Sequence, residues 1–190
     1  TIDECISRFT DKVLMVEYRF NMAPEDYDVK TARKIYSMSD DDAAFIKKGG
    51  RETVFGYRPN FAFSANGFLT SFTLEAGNTS DSKAFNNCLD ENEKMTREVA
   101  MMISVDDGYS SAANLDYAIE KGAALVSVSG SKGKMLLGEE IYASENYQQA
   151  RNIRSISEAG ISKLKNYHNL ERFTVCGLKR VRQETLISTI

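Results

Sequence analysis

The chain has 190 residues, of which 42% are apolar and 27% charged, with a formal net charge of -3. These proportions describe one globular domain that can bury a core without staples, and they exclude a disordered chain; only 2 prolines exclude a proline-rich linker. No run approaches the roughly 18 uncharged apolar residues of a membrane span, and charges scattered through TIDECISRFTDKVLMVEYRF argue against a signal peptide.

Taken in chain order, residues 1–35 read as helical, and Ala23-Pro24-Glu25-Asp26 marks a second helix start over PEDYDVKTARKIY. SDDDAAFIKKGG reads as a turn or loop, so residues 1–50 form a helical segment ahead of the first strands. Thr53–Ala65 (TVFGYRPNFAFSA) and Phe68–Leu74 (FLTSFTL) flank Asn66-Gly67, a strong two-residue hairpin signal. Pro59 places its strand at an edge or a bulge. The alternating aromatics Tyr57, Phe61, Phe63, Phe68 and Phe72 read as core.

Gly77–Asp81 forms a loop into a helix over about 81–97, with Ser80 or Asp81 as N-cap. A strand over 99–105 (VAMMISV) ends at Asp106-Asp107-Gly108-Tyr109. A helix at about 110–121 closes at Gly122, and a strand follows at 124–128. SGSKGK (129–134) lacks P-loop spacing and reads as a flexible basic loop. Helices are expected at about 146–166 and from about 176. Strands alternating with helices after a hairpin define an α/β domain with a mixed sheet, and the whole of 1–190 reads as one domain.

Cys5, Cys88 and Cys176 show no CxxC spacing, which argues against a disulfide framework and a structural zinc site and for a reducing cytosol. His168 is the sole histidine and reads as a surface or DNA-backbone contact rather than a general base. Charge is uneven. Residues 151–182 hold eight basic side chains against Glu158 and Glu171, whereas residues 1–150 hold 16 basic and 24 acidic. A basic tail on an acidic body suits either a polyanionic partner or a solvated helix face.

Two features bear on chemistry. In open α/β sheets ligands bind beyond the carboxyl ends of strands, where Asp106 and Asp107 lie. A carboxylate there can hold a hard divalent cation or simply cap a turn. On the long helix, Glu158, Lys165 and Arg151 lie about 40°, 20° and 60° around the axis from Arg154, on one face. That face either carries function or is an ordinary Arg154–Glu158 surface pair. Taken together, a strand-end Asp and a later helical Glu are parts of a metal-assisted phosphoryl-transfer site, with Arg and Lys nearby for a nucleic-acid backbone.

Four stretches carry a resemblance: GYRPNFAFSANGFLTSFTLEAGNTSDS (56–82), SVDDGYSS (104–111), VSVSGSKGK (126–134) and RNIRSISEAGISKLK (151–165). In this order they resemble the catalytic region of bacterial insertion-sequence DDE transposases, which have a ribonuclease-H-like core. The last stretch fits the Arg, three residues, Glu, six residues, Lys signature at Arg154, Glu158 and Lys165; Arg151 stands where that family often has an aromatic. The resemblance implies Mg²⁺ or Mn²⁺ held by Asp106 and Glu158 as catalytic ligands, and DNA contacts from Arg151, Arg154, Lys163 and Lys165. It implies DNA at transposon ends and target as partner, no membrane, and a prokaryotic, nucleoid-associated cytoplasmic setting; a homodimer is an open expectation. It selects Asp106 over Asp107, because the catalytic Asp lies two residues before Gly.

The family's first catalytic Asp, on a first strand before the hairpin, has no counterpart here. Asp11 lacks the flank, Asp40–Asp42 match an acidic turn, and Asp81 matches a position after the third strand. That Asp, with its central strand, is expected upstream of Thr1 or lost, unless KVLMVEYRF takes the strand's place. Two rivals stay open: a catalytically inactive remnant that binds DNA or a partner subunit, and a metal-dependent phosphatase-like hydrolase.

Overall fold

The computed structural model describes residues 1–22, 37–48, 52–130 and 132–189. The expected helix over PEDYDVKTARKIY and the Gly49-Gly50 turn lie outside the described residues.

Helix α1 spans Ile2–Phe20. Ile2, Ile6, Phe9, Val13, Val16 and Phe20 recur at steps of three and four, which is helical periodicity. KVLMVEYRF therefore ends a helix and does not supply a central strand. Its apolar stripe stays largely exposed, from 42% at Val13 to 88% at Phe20. Lys12 anchors α1 by donating to the carbonyls of Ser37 (3.1 Å) and Met38 (3.0 Å) and by pairing with Asp41.

The described strands form three two-stranded ladders, where a single mixed sheet was expected. β1 (Ala44–Lys48) pairs antiparallel with β2 (Glu52–Gly56), with Phe45 opposite Phe55 and their rings 5.1 Å apart. Part of SDDDAAFIKKGG is thus a strand rather than a loop. TVFGYRPNFAFSA splits in two because Pro59 offers no amide to a ladder. Its second half is β3 (Asn60–Phe63), antiparallel to β4 (Leu69–Thr73) around the Asn66-Gly67 turn, where Gly67 has φ 82°. The aromatics divide accordingly: Phe61 lies 6.2 Å from Phe72 across the pair, whereas Phe68 at the turn is 73% exposed and not core.

Helix α2 (Asp81–Thr96) follows, then β5 (Met102–Val105), α3 (Ala112–Glu120) and β6 (Leu125–Val128), parallel to β5. The core gathers here. Phe85 of α2, Leu115 and Ala118 of α3, and Val126 and Val128 of β6 pack together, with Ile103 and Val105 beside them. Helix α4 (Lys132–Ala143), broken at Gly138 with φ 83°, begins inside SGSKGK, so that segment opens a helix. Helix α5 spans Glu145–Tyr167 and α6 Leu178–Ser188.

Tyr147 of α5 is fully buried. Its hydroxyl accepts from the Val128 amide (3.2 Å) and donates to the Val128 carbonyl (2.9 Å). A Cβ at Gly133 would collide with that hydroxyl, so glycine lets the start of α4 pass over it. Gly160 of α5 likewise lies against the ring of Phe63, where a Cβ would overlap ring carbons. Helix α5 therefore packs on β3 as well as on β5 and β6.

Among the described residues β3 pairs only with β4, and β5 only with β6, so each has an edge with no described partner. Phe61–Phe63 of β3 and Met102–Val105 of β5 line one cavity of about 1490 Å³, with Phe85 and Leu89 of α2 and Ile161 and Leu164 of α5 in its walls.

Candidate active site

β5 delivers Asp106 to its carboxyl end, and Asp107–Tyr109 then turn in a short 3-10 helix. Asp106 accepts from the Asp107 amide (2.8 Å) and from the Ser129 hydroxyl (2.6 Å), which follows β6. Because β5 and β6 run parallel, Val105 is paired with Val128, and the residues after both strands meet. The Ser129 hydroxyl, then the Asp107 amide and the Arg154 and Arg58 charges, hold the Asp106 carboxyl below the usual carboxylate range against a desolvation cost. Asp106 is therefore an anion at neutral pH.

Helix α5 brings the second acid. Arg154 Nη1 lies 2.9 Å from Glu158 Oε1 and 3.7 Å from Asp106 Oδ1, so one guanidinium nitrogen touches two carboxylates from different elements. Both acids remain accessible, with side chains 65% and 61% exposed. Lys165 lines the same cavity. The long-helix face read from the sequence thus meets the strand-end acid in space. Arg151 turns elsewhere: it donates to the Tyr142 hydroxyl (3.2 Å), and its guanidinium sits 5.9 Å from the Tyr142 ring centre. Lys163 is exposed and lies outside the cavity lining.

Asp107 has a different job. It pairs with Lys132 at 3.2 Å, tying the turn to the start of α4, while its Oδ1 is buried with no hydrogen-bond partner among the described residues. This supports Asp106 as the site acid. The turn is braced on two further sides. The Tyr109 hydroxyl donates to Asn60 Oδ1 (2.8 Å) at the start of β3. Asn114 donates to the carbonyls of Tyr109 (2.7 Å) and Ser82 (2.9 Å), joining the turn to α2 and α3.

Sequence reasoning missed four residues around the acids: Ser129, Lys132, Arg58 and Asp81. All depend on contacts between distant segments. Ser80 is the N-cap residue of α2 but makes no side-chain cap bond. Asp81 instead binds Arg58 at 2.7 Å. The only sequence signal was that all four lie in stretches carrying the resemblance, Arg58 and Asp81 in 56–82 and Ser129 and Lys132 in 126–134.

As a cation site the donor set is two hard carboxylates, which suits Mg²⁺ or Mn²⁺ completed by water. Among the described residues no group of three His, Cys, Asp or Glu side chains stands close enough to hold a metal ion. Asp11 sits on α1, Asp40 and Asp42 bind backbone amides at the start of α6, and Asp41 pairs with Lys12.

An acid at a strand end, a second acid on the last long helix and a hairpin feeding two parallel strands define a ribonuclease-H-like α/β domain. Residues 27–190 match the family described as Transposase DDE domain, and the chain belongs to that family. No curated protein and no solved structure matches it. No helix among the described residues is long and apolar enough to cross a membrane.

Proposed function

We propose that this chain is the catalytic region of an insertion-sequence transposase that cuts and joins DNA strands with a divalent metal. The observation that carries the reading is the single Arg154 nitrogen shared by Asp106 and Glu158, which puts two acids far apart in sequence at one strand-end site. Asp106 and Glu158 would hold Mg²⁺ or Mn²⁺. Bound there, the cation supplies Lewis acidity toward a phosphodiester oxygen and an attacking hydroxyl or water. Arg154 neutralises the paired acids without metal and is placed to meet a phosphate once they are ligated. Lys165 adds positive charge along the same wall, and the exposed Lys163 contributes to backbone attraction at longer range. Arg151, packed on Tyr142, supports the helix and offers its remaining donors to DNA.

The cavity between β3 and β5 is where a strand bearing a third acid would complete the sheet. A strand seated there would pair with both free edges and end beside Asp106. Two acids at the site among the described residues favour a second reading, a remnant that binds DNA or a partner subunit and cuts nothing.

Nicking of supercoiled plasmid in Mn²⁺ separates them. The expected result is metal-dependent nicking that Glu158→Ala and Asp106→Asn abolish with unchanged melting temperature. Nicking retained in either variant contradicts the assignment. DNA binding with no nicking by the wild type supports the remnant.

A further inference from the structure

Arg58 lies in the 57–59 connection between β2 and β3, directly before Pro59. Its Nη2 is 2.7 Å from Asp81 Oδ2, with side chains 44% and 15% exposed respectively. Asp81 is gripped from behind. The turn carrying Asp106 passes so near that a Cβ at Gly108 would lie 2.5 Å from Asp81 Oδ2, and the other carboxylate oxygen is buried with no hydrogen-bond partner among the described residues. Arg58, Asp81, Asp106, Arg154 and Glu158 all line the one cavity. Arg58 and Arg154 therefore reach the site from different elements. Arg154 is engaged by both site acids. Arg58 is held by an acid that does not join them, and its hydrogen bonding to the described residues uses one of five donors.

We infer that Arg58 is a phosphate-contacting residue of the DNA site, oriented by Asp81 acting as a positioning residue. An arginine fixed through one nitrogen keeps the rest of its planar fork for a phosphate, which a lysine point charge cannot imitate. Asp81 takes the cost of ordering the side chain in advance, and Gly108 lets that carboxylate reach the Asp106 turn. The inference rests on the DNA reading of the site.

The test is fluorescence anisotropy of a labelled short duplex with the full chain, across a salt series, in Ca²⁺ to prevent cutting. Arg58→Ala is expected to weaken binding about tenfold and to lower the log–log salt slope by about one. Arg58→Lys keeps the tie to Asp81 and is expected to keep the salt slope while losing about threefold in affinity; it also covers the case in which the alanine variant does not fold. Asp81→Asn should weaken binding less than Arg58→Ala, and adding it to Arg58→Ala should cost nothing more. Lys94→Ala, in an exposed pair with Glu91 outside the cavity, should change nothing. A purely structural tie predicts lower melting temperatures with wild-type affinity and slope. If both Arg58 variants bind like wild type while Arg154→Ala and Lys165→Ala weaken binding, the inference fails and the DNA reading survives. If the wild type binds no DNA, both fail.

Discussion

At the scale of single residues, the site turns on hydroxyl and guanidinium contacts to one carboxylate. Ser129 is the first cause of the lowered Asp106 pKa. A carboxyl with a depressed folded-state pKa adds stability above its unfolded pKa and loses it as pH falls through the folded value. Asp106 should thus titrate below the ordinary carboxylate range, and Ser129→Ala should move it back up. Carboxyl-carbon NMR titration checks this; the same midpoint in wild type and variant would show that Ser129 does not set it. The resemblance selects Asp106 over its neighbour through Asp-x-Gly-Tyr, and its place at the end of β5 was legible in the sequence. Ser129 was not. Its contact arises only when β6 lies parallel to β5, and no local pattern in SGSKGK announces it. Arg58 was hidden for the same reason: GYRP reads as a strand interruption until α2 brings Asp81 to it.

At the scale of elements, close approaches set where the acids sit. Gly160 lies two residues beyond Glu158 and touches Phe63 of β3. Gly160→Ala, otherwise favourable in a helix, should destabilise the fold by about 1–3 kcal/mol through overpacking. Thermal unfolding checks it, and a gain in stability would mean that α5 is not seated on β3. Tyr147→Phe removes both bonds to the Val128 backbone at a buried position and should cost about 1–3 kcal/mol. An unchanged denaturation midpoint would show that these bonds do not hold β6 to α5.

Asp40 joins the two ends of the described chain. It accepts from the Tyr57 hydroxyl (2.6 Å) and from the amides of Asp42 (3.1 Å), Ala43 (3.3 Å) and Gly177 (2.9 Å). Burial opposes ionisation, yet these donors outweigh it and the pKa is lowered. Its stabilisation should be complete above the ordinary carboxylate range and disappear as pH falls below it. Asp40→Asn sets an amide group against donors and should flatten that acid limb of stability against pH; an identical limb in the variant would assign acid sensitivity elsewhere. Element types from α2 to β6 were legible from periodicity and turn residues. The β2–β3 break and the strand at 44–48 were not, since both depend on which edge finds a partner.

At the scale of the whole molecule, the sequence charge asymmetry overstates the free positive surface. Within residues 151–182, Arg154 is paired with the two acids, Arg151 rests on Tyr142, and Arg182 meets Glu91 at 3.5 Å. Charge counting sees none of these contacts. A cavity of about 1490 Å³ is lined by β3 and β5, each of which pairs with one strand among the described residues. What a sequence pattern could not convey is that both half-sheets stay seated on α5 with that space between them.

The central claim is that Asp106 and Glu158 act together as ligands for a divalent cation. Calorimetric titration of Mn²⁺ into the wild type, Asp106→Asn and Glu158→Ala, without DNA, addresses it most directly. The account predicts binding by the wild type that disappears in both variants while their melting temperatures hold. A wild type that takes up no Mn²⁺, or an Asp106→Asn variant that binds it equally well, would contradict the account.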